Sequence, residues 1–164
     1  MVNAKESKSA GPAKPITIIT PAELNKMEQE RESAAAREAL EKKRRAEAEQ
    51  RALHEAFMTT EIGPEAIERF NAAVLKATEQ GRREIMIGQF PASWCADGGR
   101  RINNAQEDWP ESLQGIAKRA YEYYVKHLAP LGYKMRMEVL DFPGGMPGEI
   151  GIFFRWLRSL ANFL

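Results

Sequence analysis

The sequence predicts an α/β (α+β) protein: a small mixed three-stranded sheet in α-β-α-β-β order, preceded by a long charged N-terminal helix. Three observations predict it. Residues 22–58 contain neither Gly nor Pro and are dominated by Ala, Glu, Lys and Arg, all strong helix formers. Tyr133, Met135, Met137 and Val139 alternate with Lys134, Arg136 and Glu138, which is the period of a half-buried strand. Ile150, Ile152, Phe154 and Trp156 repeat that alternation beyond the turn Pro143-Gly144-Gly145-Met146-Pro147-Gly148. Two strands joined by a short Gly/Pro turn make an antiparallel hairpin.

Taken in order, residues 1–19 read as a disordered polar tail. Within it Ile16 to Ile19 is a β-branched run able to pair as an extra strand. Thr20-Pro21-Ala22-Glu23 is a helix start: Thr20 caps, Pro21 suits the first position, and Glu23 reaches back. The helical arm spans 20–58, where 21–58 hold nine acidic and eight basic side chains. Glu38–Lys42, Glu41–Arg45 and Glu47–Arg51 have the favourable i,i+4 order. Leu24, Met27, Leu40, Leu53 and Phe57 keep no heptad register, which favours a solvated helix over a coiled coil.

The compact α/β domain is expected over 59–164. Gly63-Pro64 opens a helix whose apolar face is Ala66, Ile67, Phe70, Val74 and Ala77, with Gly81 as its stop. Arg83 to Phe90 reads as a strand, and the consecutive Ile85, Met86 and Ile87 predict cover on both faces. Asp108 caps a helix running through Leu113, Ala117, Tyr121 and Leu128 to Pro130 and Gly132. The β-α-β portion implies a right-handed crossover, with both helices on one face of the sheet. A sheet of three strands is thin, and an added strand or a homodimer would extend it.

Composition narrows the function classes. With 43% hydrophobic residues in 164 there is enough apolar content for a core. A net charge of +1 argues against a general attraction to nucleic acid or acidic membranes. No apolar run is long enough to span a membrane, and the N-terminus lacks the apolar core of a signal peptide. One cysteine, Cys95, permits no intramolecular disulfide and suits a reducing, cytoplasmic setting. With His54 and His127 as the two histidines, neither a standard zinc site nor a cysteine–histidine pair is expected. No catalytic residue, metal or cofactor is assigned. No kinase, hydrolase, helix-turn-helix or RNA-binding signature is present.

The informative stretch is the long loop between the first strand and the following helix, at a sheet edge where ligands commonly sit. Trp94, Asp97, Gly98, Gly99, Arg100, Arg101, Asn103 and Asn104 are its candidate ligand-binding residues. Gly98-Gly99-Arg100-Arg101 would offer backbone N–H groups and guanidinium forks to a phosphate or carboxylate. Ordinary loop chemistry accounts for the same residues: Asp97 capping a short helical turn, the glycines bending, Asn103 and Asn104 satisfying backbone groups. Gly144 and Gly145 form a second candidate segment, which a hairpin turn equally explains. If both segments share an edge, Trp94, Trp109 and Phe142 would form an aromatic rim.

The resulting functional expectation is a non-enzymatic binding or interaction module with a helical arm, its partner another protein or a second copy of itself. The alternative is an anion or small-molecule binding domain, whether simple binder or enzyme, using 93–108. A second alternative is nucleic-acid contact through Lys42-Lys43-Arg44-Arg45, although Glu38, Glu41, Glu47 and Glu49 surround that cluster.

Overall fold

The computed structural model describes residues 11–158. The tail expected over 1–19 and the domain expected over 59–164 thus fall partly outside them. The chain divides into two units, Met1–Ala48 and Glu49–Leu164.

In the first unit, α1 (Pro21–Thr59, which runs on into the second unit) starts on the expected capping box. The Thr20 backbone N–H donates to Glu23 Oε2 at 2.8 Å, and the Glu23 N–H donates to Thr20 Oγ1 at 3.3 Å. These bonds hold the Glu23 carboxyl below its usual range. Glu41 and Arg45 approach to 3.9 Å. Every described side chain up to Ala56 is exposed, and Phe57 is the helix's buried residue. Ile16 to Ile19 form no strand.

The second unit is an antiparallel sheet with helices on one face. Its elements are α2 (Pro64–Glu79), β1 (Glu84–Pro91), α3 (Arg100–Asn103), α4 (Gly115–Tyr123), β2 (Lys134–Val139) and β3 (Glu149–Arg155). The strand order is β1-β3-β2, and β3 is antiparallel to both neighbours. The sheet is therefore antiparallel at each pairing rather than mixed. The short hairpin returns β3 directly beside β2, so the crossover from β1 to β2 skips the position that β3 fills.

One face of the sheet carries the core. Ile85 and Phe90 of β1, with Ile150, Ile152 and Phe154 of β3, are buried there, and Met135, Met137 and Val139 of β2 pack against them. Phe154 meets Phe70 of α2 edge-on at 5.3 Å, and its ring centre lies 5.9 Å from that of Tyr124, at the C-cap of α4. Both helices thus cover the same face, as expected. Phe57 of α1 joins this core against Phe90 at 5.2 Å.

β1 is not covered on both faces. Its pairing slips between Met86 and Gly88, leaving Ile87 as an extra residue. The bulge reverses the alternation, so Ile85 and Phe90, five positions apart, face the same core. Met86 is 46% and Ile87 42% exposed.

The helix expected from Asp108 is also broken. A 3-10 turn over Trp109–Ser112 gives way to α4 only at Gly115. Gly115 has φ +56, and a Cβ there would lie 2.5 Å from the Phe57 carbonyl oxygen. The close approach of α1 therefore sets where α4 begins. Beyond α4, a π-helical turn (Tyr124–Leu128) and a 3-10 turn (Ala129–Leu131) lead to Gly132 at φ +100, the expected stop.

Candidate functional site

The loop from Pro91 to Gln114 is a folded unit built of short turns. Ala92, completely buried, donates its N–H to the Gly148 carbonyl at 2.7 Å, which ties the end of β1 to the end of the hairpin turn. A 3-10 turn over Ala92–Trp94 follows. The Ala96 N–H donates to the Ser112 carbonyl at 2.8 Å, so the two ends of the loop are stitched together.

Asp97 organises the middle. Its Oδ1 accepts the Gly99 N–H at 3.0 Å and its Oδ2 the Arg101 N–H at 2.9 Å. Gly98 and Gly99 both take left-handed φ, +67 and +82, to bring those amides round. Gly99 has a second constraint, because a Cβ there would stand 3.1 Å from Ala92 Cβ and 3.2 Å from Ile150 Cδ1. α3 then closes with the Gln106 N–H on the Arg101 carbonyl and the Ala105 N–H on the Ile102 carbonyl. That is a Schellman ending, with Ala105 at φ +50 in the position that glycine usually fills.

Arg101 is the electrostatic centre of the loop. Its guanidinium lies 3.9 Å from Asp97, 3.5 Å from Asp108 and 3.6 Å from Glu111. Asp108 makes no side-chain capping bond to the turn it precedes, and its carboxylate faces Arg101. Arg100 and Asn103 of α3 and Asn104 at its C-cap are exposed. An incoming anion would thus find Arg101 and the Gly99 amide already engaged by carboxylates, with Arg100 open.

The two glycine-rich segments do meet at one edge. The contact runs through Gly99 and Pro147, 3.7 Å from the position of a Gly99 Cβ, and through the Ala92–Gly148 hydrogen bond. Gly144 and Gly145 lie at the exposed tip of the turn, at φ +63 and +80. Trp94 packs on Phe57 at 4.9 Å and His54 at 5.0 Å. Trp109 packs on Tyr121 at 5.4 Å. Phe142 is exposed in the hairpin connection, so these three aromatic residues serve different neighbourhoods instead of one rim.

Cys95 is buried, and burial, reinforced by Asp97, pushes its thiol up to about 11 against a hydrogen bond with Ser112. It remains a neutral thiol near neutral pH. Among the described residues no group of His, Cys, Asp and Glu has the geometry to hold a metal ion. None of their helices is long and apolar enough to cross a membrane.

Several consequential residues escaped the sequence reading. Arg119 donates to the Met58 and Thr60 carbonyls at 2.8 and 3.0 Å and pairs with Glu61 at 3.3 Å, capping the end of α1. On the sheet face opposite the core, Arg136 binds Glu84 at 2.7 Å, pairs with Glu138, and lies 4.0 Å above the Phe153 ring. The alternation of β2 placed Arg136 on that outer face; its partner Glu84, fifty-two residues away, carried no local signal. Beside β2 a cavity of about 230 Å3 opens between Met135 and Met137 on one side and Ile102 and Trp109 on the other. No protein-family model, curated protein or solved structure matches this chain.

Proposed function

We propose that the chain is a non-enzymatic binding module, in which the compact unit recognises a protein partner and the charged helix serves as a spacer or a further contact. The observation that carries this reading is the outer face of the sheet. Met86 (46% exposed) registers beside Phe153, and Leu140 (40% exposed) flanks Gly151 together with the Phe153 ring. Arg136 crosses this apolar strip, 4.0 Å above the Phe153 ring. Apolar surface left in water costs about 25 cal/mol per Å2 relative to burial, so a partner that covers it gains that term. The single buried thiol supports a reducing, cytoplasmic setting.

The test is affinity capture from native lysate with the full chain and with its M86K and I87K variants. Both side chains are well exposed, so the fold is expected to survive, as circular dichroism would verify. A partner held by the full chain and lost with either variant supports the reading. Capture that ignores both substitutions, or no specific capture, overturns it.

The anion-binding alternative has exposed Arg100 in its favour and the carboxylates around Arg101 against it. A rise in melting temperature with inorganic phosphate, removed by R100A, would favour it. Nucleic-acid contact through Lys42 to Arg45 would show binding that falls steeply with salt.

A further inference from the structure

We propose that β2 is the contact strand of a two-fold homodimer, pairing antiparallel with β2 of a second copy about Met137. The inference rests on the reading of the sheet as an interaction element and names one partner for its edge.

The order β1-β3-β2 leaves two sheet edges, and they differ. The β1 edge is interrupted by the extra residue Ile87, followed by Gly88, and ends in Pro91. Bulges and prolines are features that keep an edge from accepting another strand. β2 has neither: Lys134–Val139 contains no Gly or Pro and pairs with β3 in unbroken register. Lys134 at its start is its one guarding residue, and no main-chain hydrogen bond from another described segment reaches Met135, Met137 or Val139.

The register follows from the hydrogen-bond alternation. The Leu140 N–H donates to the Glu149 carbonyl at 2.7 Å. By alternation Lys134, Arg136 and Glu138 bond inward to β3, and Met135, Met137 and Val139 direct their main-chain groups to the open edge. A dyad at Met137 sets Met137 against its own copy and Met135 against Val139 of the second copy. All three outward-facing residues then find partners. On the outer face the same register stands Arg136 across from Glu138 of the second copy, twice by symmetry. A dyad at Arg136 would instead oppose two guanidinium groups directly, which is destabilising.

The inner face fits this register as well. Met135 and Met137 are only half-buried and border the 230 Å3 cavity, whose other wall is Ile102, Trp109 and the loop residues Ala105, Gln106 and Glu107. A second copy brings another Met137 and a Val139 to that side, and methionines adapt readily to such a junction. The product is a continuous sheet ordered β1-β3-β2-β2-β3-β1.

The test uses the full chain. Sedimentation velocity over a dilution series is expected to show a monomer–dimer equilibrium. E138K sets a lysine opposite Arg136 of the second copy and is expected to weaken the dimer about tenfold or more, with unchanged circular dichroism. The Cα atoms of a hydrogen-bonded antiparallel pair lie about 5.5 Å apart, within disulfide reach. M137C is therefore expected to cross-link to itself under mild oxidation. M135C and V139C are expected to cross-link only when mixed. A chain that stays monomeric to about 100 μM, where a dimer with a Kd of about 10 μM would be mostly associated, overturns the inference. So does a dimer that E138K leaves intact, a readout that stands even if the cysteine variants misfold. Either failure leaves the outer-face reading to its own test, because M86K lies away from this edge.

Discussion

α1 belongs to two regimes along one continuous helix. Up to Ala48 it is a charged helix with every described side chain exposed; from Glu49 it belongs to the compact unit, and Phe57, 8% exposed, enters the core. The first stretch is held by backbone hydrogen bonds, propensity and side-chain pairs such as Glu41–Arg45, each worth a few tenths of a kcal/mol. The second is held by Phe57 against Phe90 and Trp94, by the Arg119 cap, and by the close approach to Gly115. Helix formation and helix burial are thus separate outcomes. Alanine, glutamate and lysine suffice for the first, whereas the second requires a large side chain and a surface shaped to receive it.

The largest effect should come from removing the anchor. Phe57→Ala is expected to destabilise the compact unit by about 3–5 kcal/mol, read by urea unfolding. A cost near that of a surface substitution would erase the distinction between the two stretches. Gly115→Ala attacks the same contact from the other side and should cost about 2–3 kcal/mol, from the left-handed backbone and the overlap with the Phe57 carbonyl. Its unfolding midpoint should fall with no change in the helicity of the arm.

Arg101→Ala leaves Asp97, Asp108 and Glu111 facing one another across the loop. Their partial exposure screens the repulsion, so the expected loss is about 1 kcal/mol, measured by thermal unfolding at low and high salt. Acid should act through Glu84, whose carboxyl is held below its usual range first by the Arg136 hydrogen bond. A depressed folded-state pKa contributes stability above the unfolded value near 4.5, and this is lost as pH falls through the lower folded value. E84Q should flatten the acid side of the stability–pH curve. Glu149, raised by burial and then by Asp141, acts in the opposite sense and is left unchanged by that substitution. The smallest effect is expected from Leu40→Ala in the exposed stretch, within about 0.5 kcal/mol. A larger loss would mean that a partner covers Leu40, and the exposed stretch would then count as a docked helix.

Local signals carried much of the fold. The Thr20–Glu23 capping box, the alternation of β2 and β3, and the glycine stop at Gly132 each depend on neighbours within a few residues, and each formed as the sequence predicts. The bulge at Ile87 was not legible, because an apolar run has the same pattern whether it is covered on two faces or carries an extra residue. In the loop, Asp97 capping the turn of α3 was legible from spacing, since the carboxylate bonds amides two and four residues ahead. The gathering of Asp108 and Glu111 on Arg101 was not, because it needs the loop to close.

By itself the sequence determined the two long helices α1 and α2 and the three strands, the charged character of the arm, the hairpin, and the face of β2 and β3 that turns to the core. Those properties follow from side-chain periodicity and turn chemistry, which act over a handful of residues. The tertiary structure decided the rest: β3 between β1 and β2, the delayed start of α4 under Phe57, Arg136 over Phe153, and the bulge in β1 against the regular pairing of β2. Each of these pairs groups far apart in the chain, and their energies exist only once the backbone brings them within contact distance.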